Sequence, residues 1–334
     1  MQARRVLVTG ASGFVGRHAV RRLLEDGHAV RALVRPASLA VFARDFPTVE
    51  TRPGDLRQPA SLAEACRGVD VVVHAAALMA GADWASAADY DGVNVAGTRH
   101  VVEAARGRAY LVHVSTVGVL GRPRRIPADE GQPYGGRLSR YERSKRDGEI
   151  VVRAALAEGG LRGTVLRPAQ LYGPGMTYGW PDTERAIRDG LARIPGRGDA
   201  RLHATHVADV VEAIRLVVAE PERAAQDVFN VAGPEALPIR EVFGIIADAV
   251  GAPRPGHVPY PAALVLALVV GALPLALRPP RLRLLDVHRL GFFRHHHVYD
   301  VSKARRRLGY HPRIGIREGL HGWLGARSGA EAPA

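Results

Sequence analysis

The first half of the chain alternates short apolar runs with longer amphipathic stretches. Residues 6–8 are aliphatic without alternation, which is typical of a strand buried on both faces of a parallel sheet. Residues 14–25 then place apolar side chains at helical spacing, and Gly27 follows as a stop signal. The sequence therefore predicts a strand, a glycine-rich turn and a helix at its start.

The same alternation continues along the chain. Further strands are predicted at residues 28–34, 49–56, 69–77, 109–116 and 164–168, with helices between the third and fourth strands and over residues 86–105. Strands that alternate with helices predict an α/β fold with a doubly wound parallel sheet of the Rossmann type. We expect this domain to cover residues 1–170 with returning elements at about 204–233, and a smaller, mostly C-terminal substrate domain to comprise 171–203 and 234–330.

Composition narrows the setting. The single cysteine, Cys66, excludes an intrachain disulfide, and no signal peptide precedes the first strand, so we expect a cytoplasmic protein. The formal net charge is +13, but the arginines are scattered without interleaved aromatic residues, which argues against nucleic-acid binding. An anionic lipid or cofactor fits this charge better, and no metal site is predicted.

Three glycines separate the first strand from the first helix in the spacing G-x-x-G-x-x-G. At such a junction Gly10 permits a tight turn, Gly13 lets backbone amides approach a pyrophosphate, and Gly16 lets helix and strand pack closely. The pattern predicts a dinucleotide site at the helix N-terminus, and a surface turn without a ligand is the alternative.

Several further motifs lie at or near the predicted strand ends. They are GDL at 54–56, HAAA at 74–77, NVAGT at 94–98, VST at 114–116, YERSK at 141–145, LRPAQLYGPG at 166–175, HVADVV at 206–211 and LGYHP at 308–312. With the glycine turn, they resemble the extended short-chain dehydrogenase/reductase family, which includes NAD(P)-dependent epimerases and dehydratases. Within this family, the motifs most resemble those of 3β-hydroxysteroid dehydrogenases and dihydroflavonol reductases. The resemblance spans nearly the whole chain.

The resemblance implies hydride transfer with Tyr141 as general acid and base. Tyr141 and Lys145 are four residues apart and share a helix face, so we expect the ammonium to lower the pKa of the phenol. The resemblance also implies that Lys145 binds the nicotinamide ribose and that Asn94 supports this lysine and a relay water. A helix cap or a turn residue is the alternative role for Asn94.

Two adjacent hydroxyls compete for the third catalytic position. Family members usually place this hydroxyl five residues before the glycine that ends the following turn, and Gly121 then selects Thr116. Thr116 would donate to the substrate oxygen as charge develops there. Ser115 remains the alternative.

The residue after the second strand indicates the cofactor. An acidic residue there would bind the ribose hydroxyls of NAD, whereas Arg35 offers a planar fork to a 2′-phosphate, worth about 1.5–3 kcal/mol. We therefore predict NADP(H), with NAD(H) as the alternative and a surface arginine without a ligand as another. The resemblance implies further cofactor contacts at Ser12, Phe14, Val15, Asp55, Leu56, Ala75, Ala76, Ala77, Ser115, Tyr141, Lys145 and Pro168, with Asp55 and Leu56 flanking the adenine.

The substrate class is indicated by two positions that lack an acidic residue, the one after Thr116 and the one occupied by Arg35. Dehydratases of the family follow the threonine with an acidic residue, and here Val117 and Gly118 follow it. Epimerases hold NAD with an acidic residue at the position of Arg35. A reductase or dehydrogenase of a ketone and its secondary alcohol remains, with a nucleotide-sugar epimerase as the alternative. A non-catalytic NADP-sensing protein would tend to lose Tyr141 or Lys145.

Residues 258–277 carry no charge and precede Arg278, Arg281 and Arg283. Prolines shorten any continuous helix to roughly 262–273. This is too short to span a bilayer, because a spanning helix needs about 20 residues. The helix is either buried in the substrate domain or forms an apolar lid on the membrane surface, reaching over 258–283. Both interpretations favour a hydrophobic, sterol-like or similarly bulky substrate, and the family resemblance allows a homodimer.

Overall fold

Strands and helices alternate through most of the molecule, in a computed structural model that describes residues 2–80, 85–273 and 287–330. The strands are β1 (Arg5–Thr9), β2 (Ala29–Val34), β3 (Glu50–Pro53), β4 (Val71–His74), β5 (Tyr110–Val114), β6 (Arg162–Pro168), β7 (Gln170–Tyr172), β8 (Arg193–Pro195), β9 (Arg201–His206), β10 (Asp227–Val231), β11 (Ala236–Pro238) and β12 (Gly256–Val258). The helices are α1 (Phe14–Glu25), α2 (Leu39–Asp45), α3 (Pro59–Ala65), α4 (Ala87–Tyr90), α5 (Gly97–Ala105), α6 (Arg140–Ala157), α7 (Trp180–Arg188), α8 (Val207–Ala219), α9 (Pro221–Ala224), α10 (Ile239–Ala249), α11 (Tyr260–Ala272), α12 (Val287–Phe292), α13 (Ser302–Leu308) and α14 (Ile316–Ala330).

Seven strands form one parallel sheet in the order β10-β6-β5-β4-β1-β2-β3. The chain builds outward from β1 to β3, then crosses to β4 and builds outward on the other side. The strand order therefore reverses between β1 and β4, which is the point where doubly wound folds bind their ligands. The predicted Rossmann-type α/β fold is confirmed.

The central strands lack polar alternation because helices cover both faces of the sheet. Val6, Leu7 and Val8 of β1 are fully buried. Helices α1 and α8 pack on one face, and α3, α5 and α6 pack on the other. The helix α1 begins and ends at the residues predicted from its apolar spacing, and most strands are a few residues shorter than predicted.

The predicted helix over residues 86–105 is divided by a π-helical stretch (Asp91–Ala96) between α4 and α5. Such a wide turn shifts the side chains that follow it and is frequent at functional sites. Here it carries Asn94 into the interior, where this side chain is 3% exposed.

Later parts of the chain form smaller sheets and a separate apolar cluster. One sheet has the order β11-β9-β7, and β12 pairs with β8. Helices α7, α10 and α14 pack around Tyr172, Ile187, Val242, Ile246 and Trp323. All of these elements come after Pro168, the last residue of β6, in the chain.

The helix α11 coincides closely with the predicted one but is not buried as a whole. Its buried face consists of Ala263, Ala267 and Val270, whereas Val265 and Val269 are 61% and 58% exposed. Leu266 and Leu268 are also exposed. Within the described ranges, no helix is both long and apolar enough to cross a membrane. Arg278, Arg281 and Arg283 lie outside the described residues.

Candidate active site

Several predicted cofactor residues directly follow strands of the parallel sheet, so they share its carboxyl edge. Gly10 follows β1 and adopts a φ of +70°, which favours glycine. A Cβ on Gly10 would lie 2.6 Å from the backbone nitrogen and Cα of Ala76, which follows β4. Only glycine therefore allows these two strand ends to approach at the point where the strand order reverses.

The start of α1 is built to receive an anion. A Cβ on Gly16 would lie 2.0 Å from the carbonyl oxygen of Gly10, so the helix can sit on the turn only with glycine there. Gly13 occupies the N-cap position without a side-chain cap, and the first turn contains no acidic residue. Ser12, Phe14 and Val15 belong to this turn and the first residues of the helix. Exposed backbone amides and the helix dipole suit the pyrophosphate of a dinucleotide.

Arg35 stands directly after β2 with an exposed side chain. Within the described part of the chain, no hydrogen bond or ion pair engages its guanidinium. Its charge contributes to the lowered pKa of Asp55, although hydrogen bonds from Arg57 are the main cause. The neighbouring Leu56 is buried against α5. A Cβ added to Gly97 of this helix would lie 2.8 Å from the Cβ of Leu56. An arginine close to Asp55, without a partner among the described residues, is compatible with binding a 2′-phosphate.

Lys145 is buried under the carboxyl end of β5. It lies on α6, whose first turn is fixed by reciprocal hydrogen bonds between Ser139 and Glu142. Its Nζ donates to the carbonyl oxygen of Val114 at 2.8 Å. Burial lowers the pKa of Lys145 to about 8, and the charge of Glu149 acts in the opposite direction. The lysine is thus a cation that titrates close to physiological pH.

The expected lowering of the pKa of Tyr141 by Lys145 is wrong in this structure. Burial raises the pKa of the Tyr141 phenol well above its ordinary value of 10, and Tyr178, Glu142 and Tyr90 act in the same direction. The Tyr90 and Tyr141 rings meet edge to face with their centroids 6.5 Å apart. Desolvation and these neighbours therefore hold the phenol in its protonated form.

The two candidate hydroxyls after β5 point to different partners. Ser115 is buried and donates to the Glu149 carboxylate at 2.6 Å. Thr116 is half-buried, and its Oγ1 accepts a hydrogen bond from the Gly118 amide at 3.1 Å. The Thr116 hydroxyl keeps its own hydrogen to donate, whereas the Ser115 hydrogen is already used. This difference favours Thr116 as the substrate-facing hydroxyl.

Asn94 does not cap a helix. Its side-chain oxygen accepts from the Leu78 amide at 2.7 Å, and its Nδ2 donates to the Leu78 carbonyl at 3.0 Å. The same nitrogen donates to the Ser144 hydroxyl at 2.9 Å, next to Lys145 in sequence. Asn94 therefore ties the loop after β4, where Ala75, Ala76 and Ala77 lie, to α6.

Sequence reasoning missed a buried polar layer beneath these residues. His74 bonds to the Thr9 hydroxyl at 2.8 Å and to the Thr98 hydroxyl at 3.0 Å, and burial lowers the pKa of this histidine to about 3. Glu149 and Arg167 form an ion pair that is almost completely buried. The spacing Y-x-x-x-K-x-x-x-E places Glu149 on the same helix face as Tyr141 and Lys145, and this signal was available in the sequence.

Comparison with known proteins identifies the family. The family model described as "NAD dependent epimerase/dehydratase family" matches residues 6–232, which include the whole carboxyl edge described above. The chain belongs to the NAD dependent epimerase/dehydratase family. Among solved structures, the dTDP-glucose 4,6-dehydratase of Streptomyces venezuelae with NAD bound superposes with a TM-score of 0.76 at 28% identity, covering 97% of each chain.

Curated relatives of this epimerase/dehydratase family protein are named as reductases and dehydrogenases. A 2-alkyl-3-oxoalkanoate reductase of Stenotrophomonas maltophilia is 33% identical, over 95% of this chain and 97% of that protein. A 4-hydroxy-2-methyl-3-oxo-4-farnesyl-3,4-dihydroquinoline-1-oxide ketoreductase of Stigmatella aurantiaca is 33% identical over 95% and 94%. A 3 beta-hydroxysteroid dehydrogenase/Delta 5-->4-isomerase of Mycobacterium tuberculosis is 29% identical over 95% and 88%. The chain is an NAD(P)-dependent oxidoreductase of the extended short-chain dehydrogenase/reductase type.

Proposed function

We propose that this enzyme interconverts a hydrophobic ketone and its secondary alcohol, with NADP(H) as the preferred cofactor. The observation that carries the proposal is that α6 holds a protonated Tyr141 and, four residues later, a Lys145 bound to the carbonyl of Val114, two residues before a Thr116 hydroxyl that is available to donate. A proton donor and an oxyanion donor at the carboxyl edge of a dinucleotide-binding sheet suit carbonyl reduction.

The chain's own residues divide the work of reduction. When bound, NADPH supplies the hydride that the carbonyl carbon accepts. Thr116 donates a hydrogen bond to the carbonyl oxygen, and Tyr141 donates the proton that converts the developing alkoxide into the alcohol. Lys145 then stabilises the phenolate that remains on Tyr141, because an adjacent cation favours the charged form. Burial of Lys145 strengthens this attraction by lowering the local dielectric.

Cofactor choice is assigned to Arg35. Its guanidinium has no partner among the residues that the structure describes, and no acidic residue directly follows β2, which supports a charge-assisted contact with a 2′-phosphate. The glycine turn and the first turn of α1 would hold the pyrophosphate, and Lys145 would hold the nicotinamide ribose. The preference for NADP over NAD rests on Arg35 alone.

An apolar substrate is supported by the surroundings of Tyr141 and by the relatives. The ionisable groups that shift the pKa of Tyr141 are the phenols of Tyr178 and Tyr90 and the carboxylate of Glu142, none of which attracts a diphosphate. Lys145, the cation on the same helix face, is buried and bound to the Val114 carbonyl. The named relatives include a reductase of alkyl oxoalkanoates and a ketoreductase of a farnesylated ring. We assign substrate binding to residues 171–203, which follow β6 in the chain, and to residues 234–330, which follow β10. A nucleotide-sugar epimerase is the second candidate, because a dehydratase of nucleotide sugars has the same fold.

We also propose that α11 rests on an anionic membrane surface at the cytoplasmic side. Its exposed aliphatic face carries no charge, and Arg294 stacks on the Tyr260 ring at the start of the helix, with the guanidinium carbon 5.7 Å from the ring centroid. Between Asp248 and Asp300 the sequence contains six arginines and a single acidic residue, Asp286. An apolar helix face with a basic rim suits peripheral binding to anionic lipids.

The experiment that tests this function measures nicotinamide absorbance with NADPH and NADH. The purified protein is incubated with steroid ketones, 2-alkyl-3-oxo acids, aryl ketones and uridine or thymidine diphosphate sugars. We expect oxidation of NADPH with one of the apolar ketones. Competitive inhibition by a nucleotide diphosphate sugar at micromolar concentration, with none by the apolar ketones, would establish the epimerase candidate instead.

A further inference from the structure

Four side chains form a buried cluster behind the catalytic residues, which we call the Glu149 cluster: Glu149, Arg167, Ser115 and Tyr134. The side chains of Glu149 and Arg167 are 0% and 1% exposed. Arg167 Nε lies 3.1 Å from both carboxylate oxygens, and its Nη2 also donates to Oε1. Ser115 donates to Oε2 at 2.6 Å, and Tyr134 donates to Oε1 at 2.9 Å. The carboxylate therefore accepts hydrogen bonds from three separate side chains.

The cluster joins the elements that carry the candidate catalytic groups. Glu149 belongs to α6 and lies one turn after Lys145, while Arg167 lies at the carboxyl end of β6. Ser115 directly follows β5 and precedes Thr116, and its amide donates to the Leu166 carbonyl at 2.7 Å. A shift of α6 along the sheet would break the bond between Ser115 and Glu149. The cluster thus fixes Thr116 relative to the helix that presents Tyr141.

Stability alone does not explain a buried ion pair at this position. Burying two charges costs several kcal/mol of desolvation for each ion, and hydrophobic replacements of such pairs are often neutral or stabilising. What an apolar replacement could not do is accept the Ser115 hydrogen and place a negative charge near Lys145. Both of these effects act on the candidate catalytic groups.

We propose that Glu149 is a positioning residue, which holds the Ser115–Thr116 strand end against α6 through the Ser115 hydroxyl and keeps Lys145 cationic through its charge. This inference rests on the proposed function, because it assigns Glu149 a role through Thr116 and Lys145. Glu149 itself would touch neither substrate nor cofactor.

The ionisable groups around Lys145 come from several elements. His74 of β4 and His113 of β5 face it, and burial lowers the pKa of both histidines so far that they stay neutral. Arg167 of β6 lies behind Glu149 and is bound to it. Glu149 is the neighbour whose charge raises the pKa of Lys145. Removing that charge would leave the Arg167 cation uncompensated, so the pKa of Lys145 would fall.

The test compares Glu149→Gln with the wild type in two measurements. Glutamine keeps the size of the side chain and an acceptor oxygen but removes the charge. The single amide oxygen can accept from Arg167 and Tyr134 or from Ser115 but not from both sides, so Ser115 loses its acceptor when the oxygen faces Arg167. At about pH 6, where Lys145 is cationic in both proteins, we expect kcat for ketone reduction to fall by about 10- to 100-fold because Thr116 is then misplaced. The alkaline limb of both kcat/KM and NADPH affinity should move to lower pH by about 1, as a lost neighbouring charge shifts a pKa. NADPH affinity is read by fluorescence titration without any substrate.

A matched control removes a carboxylate charge on the other face of the sheet. Glu212 of α8 is paired with Arg215 at 2.7 Å, so Glu212→Gln removes a paired carboxylate charge away from Lys145. This control should keep the wild-type kcat and alkaline limb. Circular dichroism and thermal melting verify that each variant is folded.

Ser115→Ala separates the two effects and decides the outcome if Glu149→Gln does not fold. It removes the tether but keeps the ion pair, so kcat should fall by about 10-fold while the alkaline limb stays at the wild-type pH. The inference is overturned if folded Glu149→Gln keeps both the wild-type kcat and the wild-type alkaline limb. If Glu149→Gln does not fold, a wild-type kcat in Ser115→Ala overturns it. Tyr141→Phe is assayed in parallel. Full turnover of that variant contradicts the proposed function itself, whereas its loss beside an active Glu149→Gln contradicts only the positioning role.

Discussion

The ammonium of Lys145 donates a hydrogen bond to the carbonyl oxygen of Val114 across 2.8 Å, from α6 to the last residue of β5. This bond anchors the lysine under the strand end that precedes Thr116. The price of that burial is a pKa lowered to about 8, so the charge state of Lys145 depends on pH close to neutrality. We therefore expect the burial that positions this cation to make the enzyme's activity sensitive to alkali.

Ketone reduction should decline as the pH rises through about 8. Lys145 is needed as a cation, and its lowered pKa means that the charge is present below this value and lost above it. The measurement is kcat/KM with NADPH over about pH 6 to 10. In Lys145→Arg any residual activity should lack this limb, because a guanidinium does not titrate in this range. A wild-type profile that stays flat to about pH 10 would refute the assignment.

Arg35→Asp should weaken NADP binding by about 10- to 100-fold and leave NAD binding equal or tighter. The substitution removes the fork that would bind the 2′-phosphate and places a like charge beside it. Isothermal titration calorimetry with both cofactors measures the change. Arg108→Asp, an exposed arginine at the opposite edge of the sheet, is the control and should bind both cofactors as the wild type does. Tighter binding of NAD than NADP by the wild type would show that Arg35 does not select the cofactor.

Local patterns predicted the fold because each of them depends on residues close in sequence. Apolar spacing and glycines predicted the boundaries of α1. The unbroken apolar run at residues 6–8 predicted a strand that is covered on both faces of the sheet. The approach of Gly10 to Ala76 was implied only by the glycine motif, since 66 positions separate the two residues. The direction of the Tyr141 pKa could not be read from the spacing Y-x-x-x-K, because it depends on burial of the phenol and on neighbours that come from other parts of the chain.

The choice between Ser115 and Thr116 shows the same limit. Both hydroxyls follow β5, and the sequence leaves them equivalent apart from the distance to Gly121. Only the folded chain brings Glu149 to the Ser115 hydroxyl, 34 residues away in sequence. Long-range polar partners of this kind have no periodic signature, so they were missed although Glu149 lies on the predicted catalytic face of α6.

His113→Leu should stabilise the protein and weaken its acid sensitivity. Among the described residues, neither ring nitrogen of His113 has a hydrogen-bond partner, and burial lowers its pKa well below the ordinary 6.5. Below that value the unfolded chain takes up a proton that the folded chain refuses, so stability is lost as the pH falls. We expect a gain of about 1 kcal/mol in the free energy of unfolding at about pH 7.5 and a larger gain at about pH 5.

Calorimetric melting at both pH values checks this prediction. His311→Leu replaces an exposed histidine and is the control, which should leave the pH dependence of Tm as it is in the wild type. A His113→Leu variant that melts at a lower temperature than the wild type at both pH values would mean that the imidazole is satisfied in solution.

The protein should co-float with anionic vesicles at low salt through α11. Replacing Val265 and Val269 together by asparagine removes two of the most exposed apolar side chains of the helix and should abolish co-flotation. Salt should weaken the binding of the wild type because the arginines act through screened charges. Leu191→Asn alters an exposed leucine outside α11 and should float like the wild type. If the wild type does not float with vesicles of phosphatidylglycerol, the exposed face of α11 has another partner.

The central claim is that Tyr141 donates the proton in a reduction driven by NADPH, and one comparison tests it most directly. Turnover of an apolar ketone is followed at the nicotinamide absorbance band for the wild type and for Tyr141→Phe, with NADPH affinity measured on the same samples. The variant lacks only the phenolic hydroxyl. We predict turnover lower by on the order of 10²–10⁴ with NADPH affinity within about twofold of the wild type. Full turnover in Tyr141→Phe would contradict the account.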